Sequence, residues 1–122
     1  MLKGSLRMPD PIDLERLREF SDGTDDGLRT LAGLMLDELA DAAVALGRAA
    51  GANDETELAA VAHRASGTAG ACGADTLAAV LLNIESMVHS HQGKQAAALL
   101  PQFERELAAV QDFLRNAIFV ER

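Results

Sequence analysis

The sequence has few of the side chains on which several common functional sites are built. It contains a single cysteine, Cys72, which excludes an internal disulfide and the usual structural zinc clusters. It has no tryptophan or tyrosine and only four phenylalanines, so a stacking platform for nucleic-acid bases is not expected. No apolar run approaches the ~20 residues that span a membrane, and the N-terminus lacks a signal-peptide pattern. We therefore expect a reduced, cytoplasmic setting.

Positive charge is also scarce. Eleven lysines and arginines stand against 19 acidic residues, which gives a net charge of −8 with neutral histidines. Nucleic acids and anionic membranes attract clustered basic residues, so we expect neither as a partner. The acidity is uneven, because residues 10–57 carry 13 acidic and four basic groups, whereas residues 58–122 carry six and five. The acidic surface is therefore expected mainly on the first half of the chain.

What the sequence does contain is helix-forming apolar residues. Alanine and leucine account for 23 and 18 of the 122 residues. Prolines occur only at 9, 11 and 101, so nothing interrupts long helices in between. Apolar residues recur every three or four positions in five segments. These segments lie at about 12–20, 25–50, 54–72, 75–91 and 94–119.

Local signals place the ends of these helices. Asp54, followed by Glu57, resembles a capping box at the start of the third helix. Asp75 is a candidate N-cap for the fourth helix, and Gly93 is a candidate terminator for it. Pro101 should either kink the last segment or mark the place where a new helix starts.

Turns of two to four residues between long helices make neighbouring helices antiparallel. The predicted fold class is all-α, an antiparallel up-and-down four-helix bundle with a short N-terminal capping helix. Residues 1–11 are predicted to be a flexible N-terminal tail, and residues 12–122 the single domain. A chain of this mass, 12.9 kDa, suits one core and not two.

The third helix departs from the alanine-rich pattern. His63, Gly67 and Gly70 are spaced so that they share one face, and each glycine inside a helix costs about 1 kcal/mol relative to alanine. One interpretation is an exposed imidazole on a surface that another protein approaches closely. The alternative is that the glycines let a neighbouring helix pack tightly and His63 is a boundary residue.

A carboxylate on the fourth helix favours the first interpretation. His63 precedes and Glu85 follows the turn residue Ala74 by the same number of positions, so the two lie at the same height across an antiparallel pair. Glu85 can then accept a hydrogen bond from His63 Nδ1–H. That bond leaves Nε2 unprotonated, as a nucleophile near neutral pH. The alternative is that Glu85 is a solvated boundary charge.

With these residues in hand, the chain resembles the histidine-containing phosphotransfer (HPt) domains of bacterial two-component phosphorelays. The resemblance is carried by residues 62–74, AHRASGTAGACGA, by the Asp75-Thr76-Leu77 start of the next helix, and by Glu85. In that family a histidine accepts a phosphoryl group from the aspartate of a receiver domain and passes it to another receiver aspartate. The chain is expected to be a monomer, either free-standing or the terminal module of a hybrid sensor histidine kinase.

The resemblance implies a role for each matching residue. His63 would carry the phosphoryl group, and Glu85 would orient the His63 imidazole. Gly67 and Gly70 would leave space for the receiver to approach. Many members have a lysine three residues after the histidine, where this chain has Ser66. Three alternatives follow: the Ser66 hydroxyl faces the phosphoryl group, the neighbouring Arg64 does, or the partner supplies the compensation.

The resemblance also implies what the chain does not supply. The Mg²⁺ would sit on the partner receiver, so the chain would need no metal or other cofactor of its own. It would not be an autonomous enzyme.

Two other functions remain open at this point. One is a non-catalytic helical interaction module that binds a signalling partner without carrying phosphate. The other is a metal-binding bundle that uses His89 and His91, although residues two apart on a helix point in nearly opposite directions.

Overall fold

The computed structural model of the chain describes residues 10–119, and every regular element in that range is helical. The elements are α1 (Leu14–Phe20), α2 (Asp25–Gly51), α3 (Glu55–Ala71), α4 (Asp75–His89), α5 (Gly93–Ala97) and α6 (Leu100–Ala117). Short turns join the long helices α2, α3 and α4, so successive helices run antiparallel. The predicted all-α four-helix bundle with a short N-terminal helix is confirmed.

The four long helices enclose one apolar core. α3 packs against both α2 and α4, and α6 closes the bundle by contacting α2 and α4. Each large side chain buried in this way contributes roughly 1.5–3 kcal/mol relative to remaining exposed. The fully buried residues come from every long helix and from α1: Leu17, Leu39, Leu46, Leu58, Leu77, Leu81, Ile84, Phe103 and Leu114.

The start of α3 follows the sequence expectation in part. Asp54 caps the helix, since its carboxylate accepts a hydrogen bond from the Glu57 backbone N–H at 3.1 Å. The reciprocal half of a capping box is not formed, because the Asp54 N–H donates to the Ala49 carbonyl at 2.8 Å. The Asp54 N–H is thus already bonded to α2 and is not available to the Glu57 side chain.

The predicted start of α4 at residue 75 is confirmed, but the residues predicted to cap and to terminate this helix are wrong. Ala74 occupies the N-cap position, and Asp75 is the first helical residue, with its carboxylate engaged elsewhere. At the other end α4 stops at His89, and the chain reverses at His91, which has a φ of 61°. Gly93 begins α5 instead of ending α4.

Pro101 marks the restart of a helix. It lies in the first turn of α6, where backbone N–H groups have no partner within the helix. Proline therefore costs no hydrogen bond there, and its fixed φ is compatible with the helix. Of the two outcomes that the sequence left open for this segment, the kink is therefore wrong. The restart lets Phe103 enter the core, where it is completely buried.

Helix α1 is fastened to the turn between α3 and α4. The Asp13 N–H donates to the Gly73 carbonyl at 2.9 Å. The Arg16 guanidinium donates to the Gly70 carbonyl at 3.2 Å and to both carboxylate oxygens of Asp75 at 2.8 and 2.9 Å. The hydrogen bond from Arg16 lowers the pKa of Asp75 from its ordinary value, and the same bond raises the pKa of Arg16.

The predicted tail, residues 1–11, falls mostly outside the described residues. Within them, Asp10 is exposed, Pro11 is half-buried and Ile12 is already in the core. The domain limits at 12 and 122 therefore stay a prediction. Within residues 10–119 no helix combines the length and the apolar character that a membrane span requires.

Replacing Gly73 by alanine should destabilise the domain by about 1–3 kcal/mol, because Gly73 has a φ of +91° and an added Cβ would lie 2.8 Å from the Asp13 carbonyl oxygen. Urea unfolding followed by circular dichroism measures the change. Gly67→Ala is the matched control, since a Cβ there would meet nothing within 4 Å and alanine favours the helix. Equal unfolding midpoints for the two variants would contradict this account of the turn.

Candidate functional site

His63 lies in the middle of α3 with its side chain 69% exposed. Its neighbours Ala62 and Ala65 are buried in the core, so the rotation of the helix turns the imidazole to solvent. An exposed imidazole held at the centre of a rigid helix is available to a partner and has little freedom of position.

The predicted contact between His63 and Glu85 is present. Nδ1 of His63 lies 3.1 Å from each carboxylate oxygen of Glu85, across the α3–α4 interface. The Glu85 side chain is only 21% exposed, so this contact is partly shielded from water. The alternative that Glu85 is a freely solvated boundary charge is wrong.

This contact selects one form of the imidazole. An ionised carboxylate only accepts hydrogen bonds, so Nδ1 must carry the proton that it donates to Glu85. In the neutral ring, Nε2 then holds an unshared electron pair on the exposed side chain. The pair is therefore built to present a nucleophilic nitrogen to an incoming group.

The two glycines beyond His63 have different surroundings. Gly67, one turn along, is exposed, and a Cβ there would meet nothing within 4 Å. Gly70 is half-buried: a Cβ there would touch that of Ala78, and its carbonyl accepts the Arg16 bond. Gly67 thus fits the predicted clearance for a partner, whereas Gly70 belongs to the packing of α1 and α4 onto this end of α3.

The Ser66 hydroxyl is turned toward its own helix and away from the side predicted for the phosphoryl group. Ser66 is 8% exposed, and its Oγ donates to the backbone carbonyl of His63 at 2.7 Å. A serine inside a helix commonly forms this bond to the preceding turn, which keeps the hydroxyl against its own helix. The position three residues after the histidine is therefore part of the helix surface that faces inward.

Arg64 is the remaining cation predicted at the site. Its side chain is exposed and makes no ion pair within residues 10–119. It borders the cleft beside His63 and also a groove on the other side of α3. Its guanidinium is free to turn toward either.

The cleft beside His63 contains a residue that the sequence did not assign to the site. His89, one turn after Glu85, places Nε2 3.5 Å from a carboxylate oxygen of Glu85. The spacing of four residues between Glu85 and His89 on α4 is the sequence signal for this contact. The cleft lies between α3 and α4 and is lined by Glu55, Thr56, Ala59, Ala60, His63, Arg64, Glu85, Val88 and His89.

An apolar groove lies on the other side of α3, where α1, α2 and α3 meet. Phe20 and Leu34 line it and are 59% and 63% exposed, so they form part of an exposed apolar patch. Arg64 and Gly67 form its border toward His63. We call this surface the α1–α2 groove; its other lining residues are Leu31, Met35, Glu38, Thr68, Ala71 and Cys72.

The acidity is closer to His63 than its sequence distribution suggested. The Thr68 hydroxyl donates to Glu38 of α2 at 2.7 Å, so one carboxylate of α2 lies about one turn of α3 from the histidine. Glu55 lines the histidine cleft itself. Two acidic residues of the first half of the chain, Glu38 and Glu55, therefore lie on or against α3, the helix that carries His63.

Other candidate residues are placed away from reactive chemistry. Cys72 is 3% exposed, and burial raises the pKa of its thiol, which favours the protonated form. Within residues 10–119 no three histidine, cysteine, aspartate or glutamate side chains are arranged to hold a metal ion. The metal-binding function considered for His89 and His91 thus gains no support from the described part of the chain.

Comparison with known families decides between the functions left open. Residues 30–113 of the chain, which are more than half of its length, match the model of the Hpt domain. The chain belongs to the Hpt domain family. Hpt domains exchange phosphoryl groups through a histidine with receiver domains and kinases of phosphorelays, and this is the role of the chain.

A solved structure agrees with this Hpt fold. The chain is similar to the crystal structure of histidine-containing phosphotransfer protein B (HptB) from Pseudomonas aeruginosa PAO1, with a TM-score of 0.84 and 23% identity. The similarity covers 94% of this chain and 100% of that one. No curated protein matches the sequence of the chain. At this identity the structural match establishes the helical bundle, and the residues of the site rest on the geometry described above.

Replacing Glu85 by alanine should allow the neutral His63 ring to populate both tautomers, because the carboxylate that accepts the Nδ1 proton is lost. Long-range ¹H–¹⁵N NMR spectra of the neutral ring should show a smaller fraction protonated at Nδ1 than in the wild type. In Glu85→Gln the amide oxygen can still accept the Nδ1 proton, so this control should stay close to the wild type. An unchanged tautomer in Glu85→Ala would show that the 3.1 Å contact does not govern the ring.

Proposed function

We propose that His63 is the phosphorylated residue of this Hpt domain and that Nε2 carries the phosphoryl group. The observation that supports this most directly is the exposed imidazole whose Nδ1 lies 3.1 Å from both oxygens of Glu85. That contact leaves the Nε2 electron pair free and directs attack through this nitrogen.

The transfer step follows from this geometry. The Nε2 electron pair of His63 forms a bond to the phosphorus of a phosphoaspartate on a receiver domain. The phosphorus–oxygen bond breaks, and its electrons leave on the aspartate carboxylate. The ring keeps its Nδ1 proton during the step and gains positive charge, which the Glu85 carboxylate stabilises. Passage to a second receiver is the reverse of this step.

Most of the charge stabilisation would come from the receiver. The Mg²⁺ belongs to the receiver's acidic pocket, and the chain contributes neither a metal nor autonomous catalysis. On this side of the interface Arg64 is the cation closest to the phosphoryl group along the chain, with no ion pair to compete for it in the described residues. Arg64 therefore takes the place of the lysine that many members carry, since the Ser66 hydroxyl is bonded to its own helix.

The α1–α2 groove supplies the surface on which a receiver docks. Phe20 and Leu34 are exposed there, and the groove continues through Gly67 to the face of His63. Large apolar side chains beside a reactive residue are typical of an interaction surface. Because Gly67 has no side chain, the receiver backbone can approach the imidazole without obstruction.

The cellular setting follows from the same partners. We infer a cytoplasmic monomer that meets receiver domains and a sensor histidine kinase in solution. The negative net charge and the scarcity of lysine and arginine support partners other than nucleic acid or membrane.

The domain mixed with a phosphorylated receiver should acquire an acid-labile label, and His63→Gln should abolish it. Glutamine removes the nucleophilic nitrogen, while the exposed position makes loss of folding unexpected. The measurement is gel autoradiography with and without acid treatment, with circular dichroism as the check on folding. His91→Asn is the matched control and should keep the label, because asparagine tolerates the positive φ at this position. Label that persists in His63→Gln would refute the assignment.

The same mixture distinguishes the non-catalytic interaction module. That function requires receiver binding and signalling to be unaffected by His63→Ala, with no label in any variant. Transfer to His63 requires binding to survive and signalling to be lost.

Leu34→Arg should reduce labelling by a phosphorylated receiver about tenfold or more, because it places a charge in the apolar contact of the α1–α2 groove. Chemical labelling of His63 by phosphoramidate, which needs no docking, should be unchanged. The control is Val44→Arg, which replaces another exposed aliphatic residue of α2, 55% exposed and outside the groove. Equal receiver-dependent rates in the two variants would show that the receiver docks elsewhere.

A further inference from the structure

The carboxylate that orients His63 has a second imidazole beside it. Nε2 of His89 lies 3.5 Å from Glu85 Oε2, while Nδ1 of His63 lies 3.1 Å from the same oxygen. Glu85 therefore stands between two histidines, one from α3 and one from its own helix. The transfer mechanism described above uses only the first of these contacts.

The position of His89 on α4 favours this contact. A glutamate followed four residues later by a positively charged or donating side chain is the more stable order of such a pair on a helix. His89 is also the last residue of α4, where the helix dipole alone would attract a protonated imidazole. The dipole, however, does not require the ring to approach Glu85, one turn earlier, as it does here.

A second contact restricts the positions that the Glu85 carboxylate can take. Glutamate has a long side chain with several rotatable bonds, and the cleft around it contains one competing cation, Arg64. Arg64 has no ion pair in the described residues, so it is available to draw the carboxylate away from His63. Glu55 also lines this cleft, and its negative charge repels the Glu85 carboxylate.

We propose that His89 is a positioning residue for phosphoryl transfer. Its Nε2 lies 3.5 Å from Glu85 Oε2, and the proton on this nitrogen holds the carboxylate against Nδ1 of His63. His89 thus acts on the reacting nitrogen through Glu85, without touching the phosphoryl group. This inference rests on the proposed function of His63.

The step that His89 influences is the formation of the bond between Nε2 and phosphorus. With phosphoramidate as donor, the Nε2 electron pair of His63 attacks phosphorus, the phosphorus–nitrogen bond breaks, and the nitrogen leaves as ammonia. Nδ1 keeps its proton, bonded to Glu85, during the attack. When Glu85 is free to turn away, a larger fraction of His63 carries its proton on Nε2 and is unable to attack.

The experiment measures phosphoramidate labelling of His63 in the full chain by intact-protein mass spectrometry. His89→Ala should label about three- to tenfold more slowly, which corresponds to the loss of one modest hydrogen bond. His89→Gln keeps an N–H donor on a side chain of similar reach and should restore a rate near that of the wild type. His91→Asn, two residues away and outside the cleft, should be unaffected.

Long-range ¹H–¹⁵N NMR of His63 supplies the readout that a merely structural role would not change. The fraction of the neutral ring protonated at Nδ1 should fall in His89→Ala and return in His89→Gln. The urea midpoints of the variants should agree with that of the wild type, since the His89 side chain is 68% exposed.

The outcomes separate this inference from the function on which it rests. Wild-type labelling and an unchanged tautomer in His89→Ala, with His63→Gln unlabelled, would overturn the role of His89 and leave His63 as the carrier. Slower labelling with an unchanged tautomer would also overturn it, because His89 would then act by some route other than Glu85. Labelling of His63→Gln at the wild-type rate would overturn the proposed function itself.

Discussion

The site depends on one geometric constraint, which is the equal height of His63 and Glu85 on two antiparallel helices. A helix rises 1.5 Å per residue. A slip of one residue between α3 and α4 would therefore shift His63 by about 1.5 Å relative to Glu85, which is enough to break the contact of 3.1 Å. The turn after Cys72 fixes this register through the positive φ of Gly73. The contact that orients the imidazole therefore depends on a turn about 16 Å away along the helices.

The sequence predicted the features that depend on periodicity and on counting residues. The helix spacing of apolar residues placed α1, α2 and α3 to within a residue or two, and equal distances from Ala74 placed Glu85 opposite His63. These features depend on the regular geometry of helices, which does not change with tertiary context. The same holds for Gly67, whose exposure follows from its position one turn after the histidine.

The features that the sequence did not predict depend on choices among local hydrogen bonds. Asp75 is an acceptable N-cap residue, yet its carboxylate is bound by Arg16, which lies 59 positions earlier. The sequence left the Ser66 hydroxyl free to face solvent, whereas it donates to the backbone carbonyl of His63. The sequence offers His91 as a partner of His89, whereas the contact that forms is with Glu85 on the preceding turn. A pattern in the sequence does not rank such alternatives, because their energies differ by little.

The fastening of α1 has a mechanical consequence for the site. Asp13 and Arg16 bind residues on both sides of the α3–α4 turn. These contacts hold the two helices together at this end, so the turn acts as the pivot for any change in the angle between them. At about 16 Å from that pivot, a change of about 5° in the angle between the helices would displace the imidazole from its carboxylate by more than 1 Å. Through its contacts with this turn, the short N-terminal helix therefore limits how far His63 and Glu85 can shift relative to each other.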